Sequence, residues 1–296
     1  MKPLVNFDYF EYFFNEFDYP EGARKSILED YSKIVSSDFL SEFNSIIEEY
    51  DKNLNCDFGL LLAKMDEIAK GVEIHQYASN LIFFIALSKR LKEYYISRGI
   101  SLDIYKDSVL DLKYKMLKCI KIFGIWGSET RWFVGFYQMN RFAFGKLEFE
   151  MSTFRRDFTI DGITLSPNSP VVNIHIPNTG TPLDKESMEW SFKKAKEFFK
   201  DKFEGGKVVF VCTTWLLFQK HKEILKPESN LVQFINCFTV VAEGFYPDYH
   251  ETWRLFGTKD LSDYDKLPQK TSLQRAYVEM MKKGEKTGWS SGVFVL

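Results

Sequence analysis

The hydrophobic period of this chain changes once, near Phe142, and that change divides the architectures open to it. Before it, apolar residues recur at helical spacing, as in Ile27, Tyr31, Ile34 and Val35 and again in Leu81, Phe84, Ile85, Leu91 and Tyr95, with almost no proline. A further helix is expected over residues 130–141. After it, Phe144, Leu147, Phe149 and Met151 open a strand-like segment. Phe158-Thr159-Ile160 and Ile163-Thr164-Leu165 flank Asp161-Gly162, the dipeptide that two-residue hairpins of type I′ prefer. Residues 171–176 read as a strand. Asp184 then caps a helix to about Phe203, with Trp190, Phe192, Ala195, Phe198 and Phe199 on its apolar side and Gly205-Gly206 at its end. Residues 207–213 form a buried-type strand. A helix between two strands makes a βαβ crossover, so those strands are expected to be parallel in a mixed sheet. Strands over 238–241 and 293–296 and a helix over Ser272–Lys282 complete the pattern. The reading is α+β: an all-helical unit over 1–126, then a mixed β-sheet flanked by helices over 127–296.

Residue usage excludes several classes. At 45% hydrophobic and 27% charged, the chain is neither disordered nor a collagen or coiled-coil array. Its 29 phenylalanines supply a large core. A net charge of -2 matches a nucleic-acid backbone poorly, so no nucleic-acid partner is expected. Residues 1–73 hold 7 basic and 16 acidic side chains and residues 74–126 hold 9 and 4, which reads as complementary or solvated helix faces. Cys56, Cys119, Cys212 and Cys237 are far apart and lack a CxxC pair, as expected of free thiols in a reducing compartment. An acidic, aromatic run from Phe7 to Phe17 stands where a signal peptide has a basic start. The longest apolar run, 81–87, is far short of the roughly 20 residues of a membrane helix. A soluble, cytoplasmic protein with no membrane partner is expected.

The sequence contains no phosphate-binding P-loop, no GxGxxG, no HExxH and no GxSxG. His75, His175, His221 and His250 have no ligand spacing, so no metal is expected. The informative stretch is VVNIHIPNTGTPLDKE over residues 171–186. There a strand ends, a small polar loop follows and a helix opens, aiming backbone N–H groups at the loop. Such a junction can hold a phosphate without a basic side chain. It is equally an ordinary turn in which Asp184 caps the helix and competes with any anion.

An ordered series of short motifs surrounds that stretch. It comprises His175-Ile176-Pro177, Ser191 with Phe198-Phe199, Cys212 with Trp215-Leu216-Leu217, Ser229-Asn230 with Phe234, Trp253 through Gly257, and Thr271 through Tyr277, closing on Lys286-Thr287-Gly288 and Gly292. Weaker likeness reaches back to Gly145-Lys146-Leu147 and to Gly124 and Gly127. The series resembles bacterial acyltransferase-domain proteins in which a helical N-terminal domain precedes a C-terminal domain similar to the GNAT N-acyltransferases. Two departures stand out. Thr213 follows the cysteine where family members commonly carry His, and Asn178, Thr179, Gly180 and Thr181 occupy the loop where GNAT enzymes carry their pyrophosphate signature.

The resemblance implies direct attack of an amine on the thioester of acetyl-CoA or another acyl-CoA, used as cosubstrate with no permanently bound cofactor. The amine would belong to a small molecule or peptide. Within that implication His175 is the candidate general base, or else a hydrogen-bonded sheet histidine, and Cys212 either donates a proton or packs. Residues 178–181 would meet the cofactor's pyrophosphate. Trp215 and Phe218 would wall an acyl pocket or pack in the core, and Arg254 and Arg275 are candidate anion or substrate partners or else make surface or structural salt bridges. Glu148 and Glu150 are weaker candidates for a base. Two other classes compete. One is a noncatalytic small-molecule or peptide binding protein on the same scaffold, which Thr213 and the missing pyrophosphate signature favour. The other is a hydrolase with Cys212 as nucleophile, disfavoured because no His or Asp is placed in sequence to activate it.

Overall fold

The computed structural model describes residues 1–296, the side chain of His250 apart. The chain forms two compact units, Met1–Ala143 with Pro177–Gly180, and Phe144–Ile176 with Thr181–Leu296. The first holds helices α1 (Phe7–Glu16), α2 (Glu21–Val35), α3 (Leu40–Lys52), α4 (Phe58–Gly71), α5 (Gln76–Ser97), α6 (Leu102–Phe123) and α7 (Val134–Tyr137). Helix α5 is the centre: it packs against α1 to α4, α6 and α7, and Leu81, Ile82, Phe83, Phe84, Ile85, Ala86 and Leu87 are all buried. A helix apolar on every side is what the middle of a bundle requires. No helix of the described residues is long and apolar enough to cross a membrane. The charge asymmetry is partly complementary, since Lys106 pairs with Glu16, Lys113 with Asp18 and Arg90 with Asp51.

The helix expected over 130–141 shrinks to α7. Ser128 and Thr130 bond to the local backbone instead, Trp132 N–H donates to the Thr130 hydroxyl, and Met139 turns the chain at φ 54°. Hydroxyl side chains that satisfy nearby backbone groups compete with a helix in this way.

The second unit is built on a sheet of order β1-β2-β5-β6-β8-β7, formed by β1 (Arg141–Phe144), β2 (Leu147–Thr153), β5 (Pro170–His175), β6 (Val209–Thr214), β7 (Thr239–Phe245) and β8 (Gly288–Val295). The boundary between the units falls within β1. Strands β3 (Phe158–Ile160) and β4 (Ile163–Leu165) form the separate hairpin, with Asp161 and Gly162 at φ 48° and 77° as a type I′ turn demands. Helices α8 (Lys185–Phe199), α9 (His221–Ile224), α10 (Asn230–Asn236), α11 (Trp253–Phe256) and α12 (Ser272–Lys282) complete it.

The crossover through α8 makes β5 and β6 parallel, Val172 beside Phe210 and Asn173 beside Val211, while β2 with β5, β6 with β8 and β7 with β8 are antiparallel. One face of the sheet packs on α8 and α10, where Phe192 meets Phe149, Phe210, Phe234 and Phe294. The other buries Val171, Val209 and Val293 with Phe154 and Leu165, and the hairpin residues Phe158, Ile160 and Ile163 pack against them.

Candidate functional site

Strand alternation builds the centre of the site. In β2, Leu147 and Phe149 are buried, and Phe149 faces α8. Glu148 and Glu150 therefore point to the opposite face. Antiparallel register sets Glu148 across from His175 and Glu150 across from Asn173. His175 and Glu150 are diagonal neighbours, and His175 Nε2 lies 3.2 Å from Glu150 Oε1, with Asn173 Nδ2 3.3 Å away. Nε2 thus faces an acceptor, the Glu150 carboxylate, and a donor, the Asn173 amide, and in the tautomer whose Nε2–H donates to Glu150 it is Nδ1 that can accept a proton. Both side chains are three-quarters or more buried, with 21% and 25% of their surface exposed. The arrangement is an imidazole oriented by a carboxylate at a strand end, which suits proton abstraction.

The parallel ladder beside this pair is short. It joins Val172 to Phe210 and Asn173 to Val211 and goes no further, although β5 runs on to His175 and β6 to Thr214. Over the unladdered stretch the Cys212 thiol donates to the Ile174 carbonyl at 3.4 Å. Cys212 is buried, and burial pushes its thiol up to about 12. A thiol buried and held protonated in this way is a poor nucleophile, which counts against the hydrolase reading. Thr213, one residue on, projects to the opposite face and donates to the Ser291 hydroxyl at 2.9 Å.

At the β5–α8 junction Asn178 Oδ1 accepts from Gly180 N–H at 3.1 Å, closing a turn in which Gly180 has φ 76°. Gly180 needs that left-handed conformation, and a Cβ there would meet nothing within 4 Å. Asn178 to Gly180 group with the helical unit and Thr181 with the sheet unit. Asp184 caps α8, accepting from Ser187 N–H at 2.8 Å. That bond and the Lys146 ammonium hold its carboxyl well below the usual range. Lys146 stands 3.1 Å from Asp184 Oδ2 and 2.6 Å from the Pro182 carbonyl, which it also donates to. The turn before β2 delivers it there: Gly145, at φ 62°, packs against Trp190 and Ser191 of α8.

The remaining candidates separate. Arg275 donates to the Gln269 and Lys270 carbonyls, tying down the segment before α12, and exposed Arg254 pairs with Glu251 at 2.6 Å. Trp215 lines a recess of the second unit with Tyr246, Glu251 and Tyr277, while Phe218 is buried against His221 and Phe245. Among the described residues no three His, Cys, Asp or Glu side chains gather as metal ligands. Two placements have no counterpart in the sequence pattern: Glu150, a weaker candidate base by sequence, lies beside His175 Nε2, and Lys146, part of a motif only, reaches the α8 N-terminus. The first depends on strand register and the second on a turn that folds back, so neither leaves a local signal.

Comparison with known proteins agrees with this architecture. Residues 9–139 match the family model of the N-acyltransferase N-terminal domain, and residues 142–294 match that of the GNAT-like C-terminal domain. Among solved structures, an acyltransferase in complex with decanoyl-CoA and teicoplanin is similar at 19% identity and TM-score 0.71, covering 97% of this chain and 87% of its own. An acyltransferase in complex with decanoyl-CoA is similar at 17% identity and TM-score 0.70, covering 96% and 86%. One in complex with CoA and 10C-teicoplanin, at 18% identity, has TM-score 0.70 and the same coverage, 96% and 86%. No curated protein sequence gives a significant match. Together the two family models span nearly the whole described chain, which therefore belongs to the acyltransferase family that joins an N-acyltransferase N-terminal domain to a GNAT-like C-terminal domain.

Proposed function

We propose that this protein transfers an acyl group from an acyl-CoA to an amine on a small molecule or peptide, by direct attack and without a covalent acyl-enzyme. The observation that carries the reading is the His175–Glu150 pair at the end of β5, beside the point where the β5–β6 ladder stops. Unladdered strands offer backbone N–H groups, and a thioester carbonyl entering there would find donors for the negative charge that develops on its oxygen. His175 Nδ1 takes the proton as the amine nitrogen bonds to the carbonyl carbon. Glu150 holds the ring and stabilises the imidazolium. The C–S bond then breaks, and the departing CoA thiolate takes up the proton that the imidazolium gives back, directly or through solvent, which restores neutral His175. In this scheme Lys146, Thr181 and the first turn of α8 face the cofactor's phosphates.

The solved relatives carry decanoyl-CoA or CoA, which favours acyl-CoA as cosubstrate here. Thr213 favours the rival reading of a noncatalytic binding protein, because it stands where the family commonly has His. The test is acyl-CoA-dependent acylation of a panel of amines (aminosugars, amino-acid amides, short peptides) followed by mass spectrometry. The proposal expects one amine class to gain an acyl group and His175→Gln to lower turnover by about 10² to 10⁴ with acyl-CoA affinity nearly unchanged. Binding of acyl-CoA and amine with no product would leave the binding-protein reading. Equal turnover in His175→Gln would end the role of that residue.

A further inference from the structure

The sheet face that carries His175 also carries Trp289, a side chain that the acyl-transfer scheme leaves unused. Gly244 explains how it lies there. A glycine inside a strand weakens it, and Gly244, within β7 and outside the left-handed region, has no conformational need to lack a side chain. Its need is spatial. A Cβ at Gly244 would stand 2.9 Å from Nε1, Cε2 and Cζ2 of Trp289, so the indole lies across this piece of backbone.

Register fixes the face. Trp289 is opposite Gly244, and Ser291 is opposite Thr213 on one side and Ala242 on the other. Two residues further along β8, Val293 packs with Val171 and Val209 under the β3–β4 hairpin. By strand alternation Trp289, Ser291 and Val293 share one face, as do Val171, Asn173 and His175 in β5. The hairpin covers the valine end of that face. Toward the other end Thr213 is exposed and Ser291 and Trp289 are part-buried, so this half meets solvent. Only β6 separates β5 from β8, which sets Ser291 about 10 Å and Trp289 about 12 Å from His175.

The polar atoms there are poised to donate. Thr213 gives its proton to the Ser291 hydroxyl at 2.9 Å, which leaves the Ser291 proton for another acceptor. Among the described residues nothing accepts from Trp289 Nε1–H. An indole face with two such donors suits a flat group that carries a carbonyl oxygen. A peptide amide meets both conditions, since its plane lies on the ring and its oxygen accepts. An alkyl chain would cover the donors without replacing their water, and an ammonium group brings only more donors.

We propose that Trp289 is a specificity-determining residue of the acceptor side and that, with Ser291, it holds an amide of a peptide-like acceptor about three residues away from the amine that His175 deprotonates. That the amine reacts rests on the acyl-transfer reading; the hold on the amide does not. The probes are glycinamide and triglycinamide, titrated against the full chain by ligand-observed NMR. Triglycinamide is expected to bind about tenfold more tightly. Trp289→Leu should cut that preference at least about fivefold, and Trp289→Phe, which keeps a ring face without the N–H, by less. Ser291→Ala should cut it about two- to threefold. All three should leave decanoyl-CoA affinity unchanged. Equal binding of the two probes by the wild type overturns the proposal. So does an undiminished preference in folded Trp289→Leu or, should that variant not fold, in both Trp289→Phe and Ser291→Ala. Parallel titration with decanoyl-CoA separates the two ideas. Amide preference without acyl-CoA binding upholds the subsite and removes its part in acyl transfer, whereas acyl-CoA binding without amide preference overturns the subsite alone.

Discussion

One strand spacing and the pleat of β2 and β5 bring His175 and Glu150 to 3.2 Å, and in the proposed mechanism they act as a base and its orienting carboxylate. Replacing Glu150 with Gln keeps the shape but removes the charge that stabilises an imidazolium. Turnover should fall about 10- to 100-fold, less than for His175→Gln, with acyl-CoA affinity unchanged. Steady-state kinetics on both variants, paired with acyl-CoA titrations, checks the order. A Glu150→Gln enzyme as fast as wild type would make the carboxylate a bystander. Cys212 illustrates the opposite case. Burial keeps its thiol protonated at any physiological pH, and its sulfur already donates to Ile174. Iodoacetamide at pH 8 should leave Cys212 unmodified in the native protein and alkylate it once the chain is unfolded, as peptide mass mapping can read.

Among the elements, α12 and the turn after β6 depend on one buried histidine. His221 links Leu216 to Tyr277, and burial lowers its ionisation from 6.5 to about 4. The folded state therefore binds fewer protons than the unfolded state between those values, and stability must rise with pH across that window. Acid unfolding should show the wild type losing up to about 3 kcal/mol more than His221→Gln on going from pH 6.5 to pH 4. Parallel pH profiles of the two proteins would disprove it. The same scale shows what sequence can carry. The βαβ crossover and the Asp161-Gly162 hairpin were readable because turn residues and alternation are local. The apolar pattern of 130–141 suggests a longer helix than forms, because the Thr130 hydroxyl accepts from Trp132 N–H, a bond that pattern does not encode. Lys146 at the α8 N-terminus and Glu150 beside His175 depend on register and on chain reversal, and periodicity is blind to both.

For the whole molecule, the change of period near Phe142 lies close to the point where the chain passes from a bundle centred on α5 to a sheet with helices on it. Family models meeting at residues 139 and 142 agree with that division, and relatives below 20% identity share the fold. Fold alone does not bring chemistry with it. What joins this scaffold to acyl transfer is the claim that it binds an acyl-CoA. Calorimetric titration of decanoyl-CoA, acetyl-CoA and free CoA into the full chain tests that claim without any knowledge of the acceptor. Saturable one-to-one binding is expected in the range of about 1 μM to 1 mM, weakened roughly 5- to 30-fold by Lys146→Ala and untouched by His175→Gln. No heat and no saturation with any of the three ligands at millimolar concentration would contradict it.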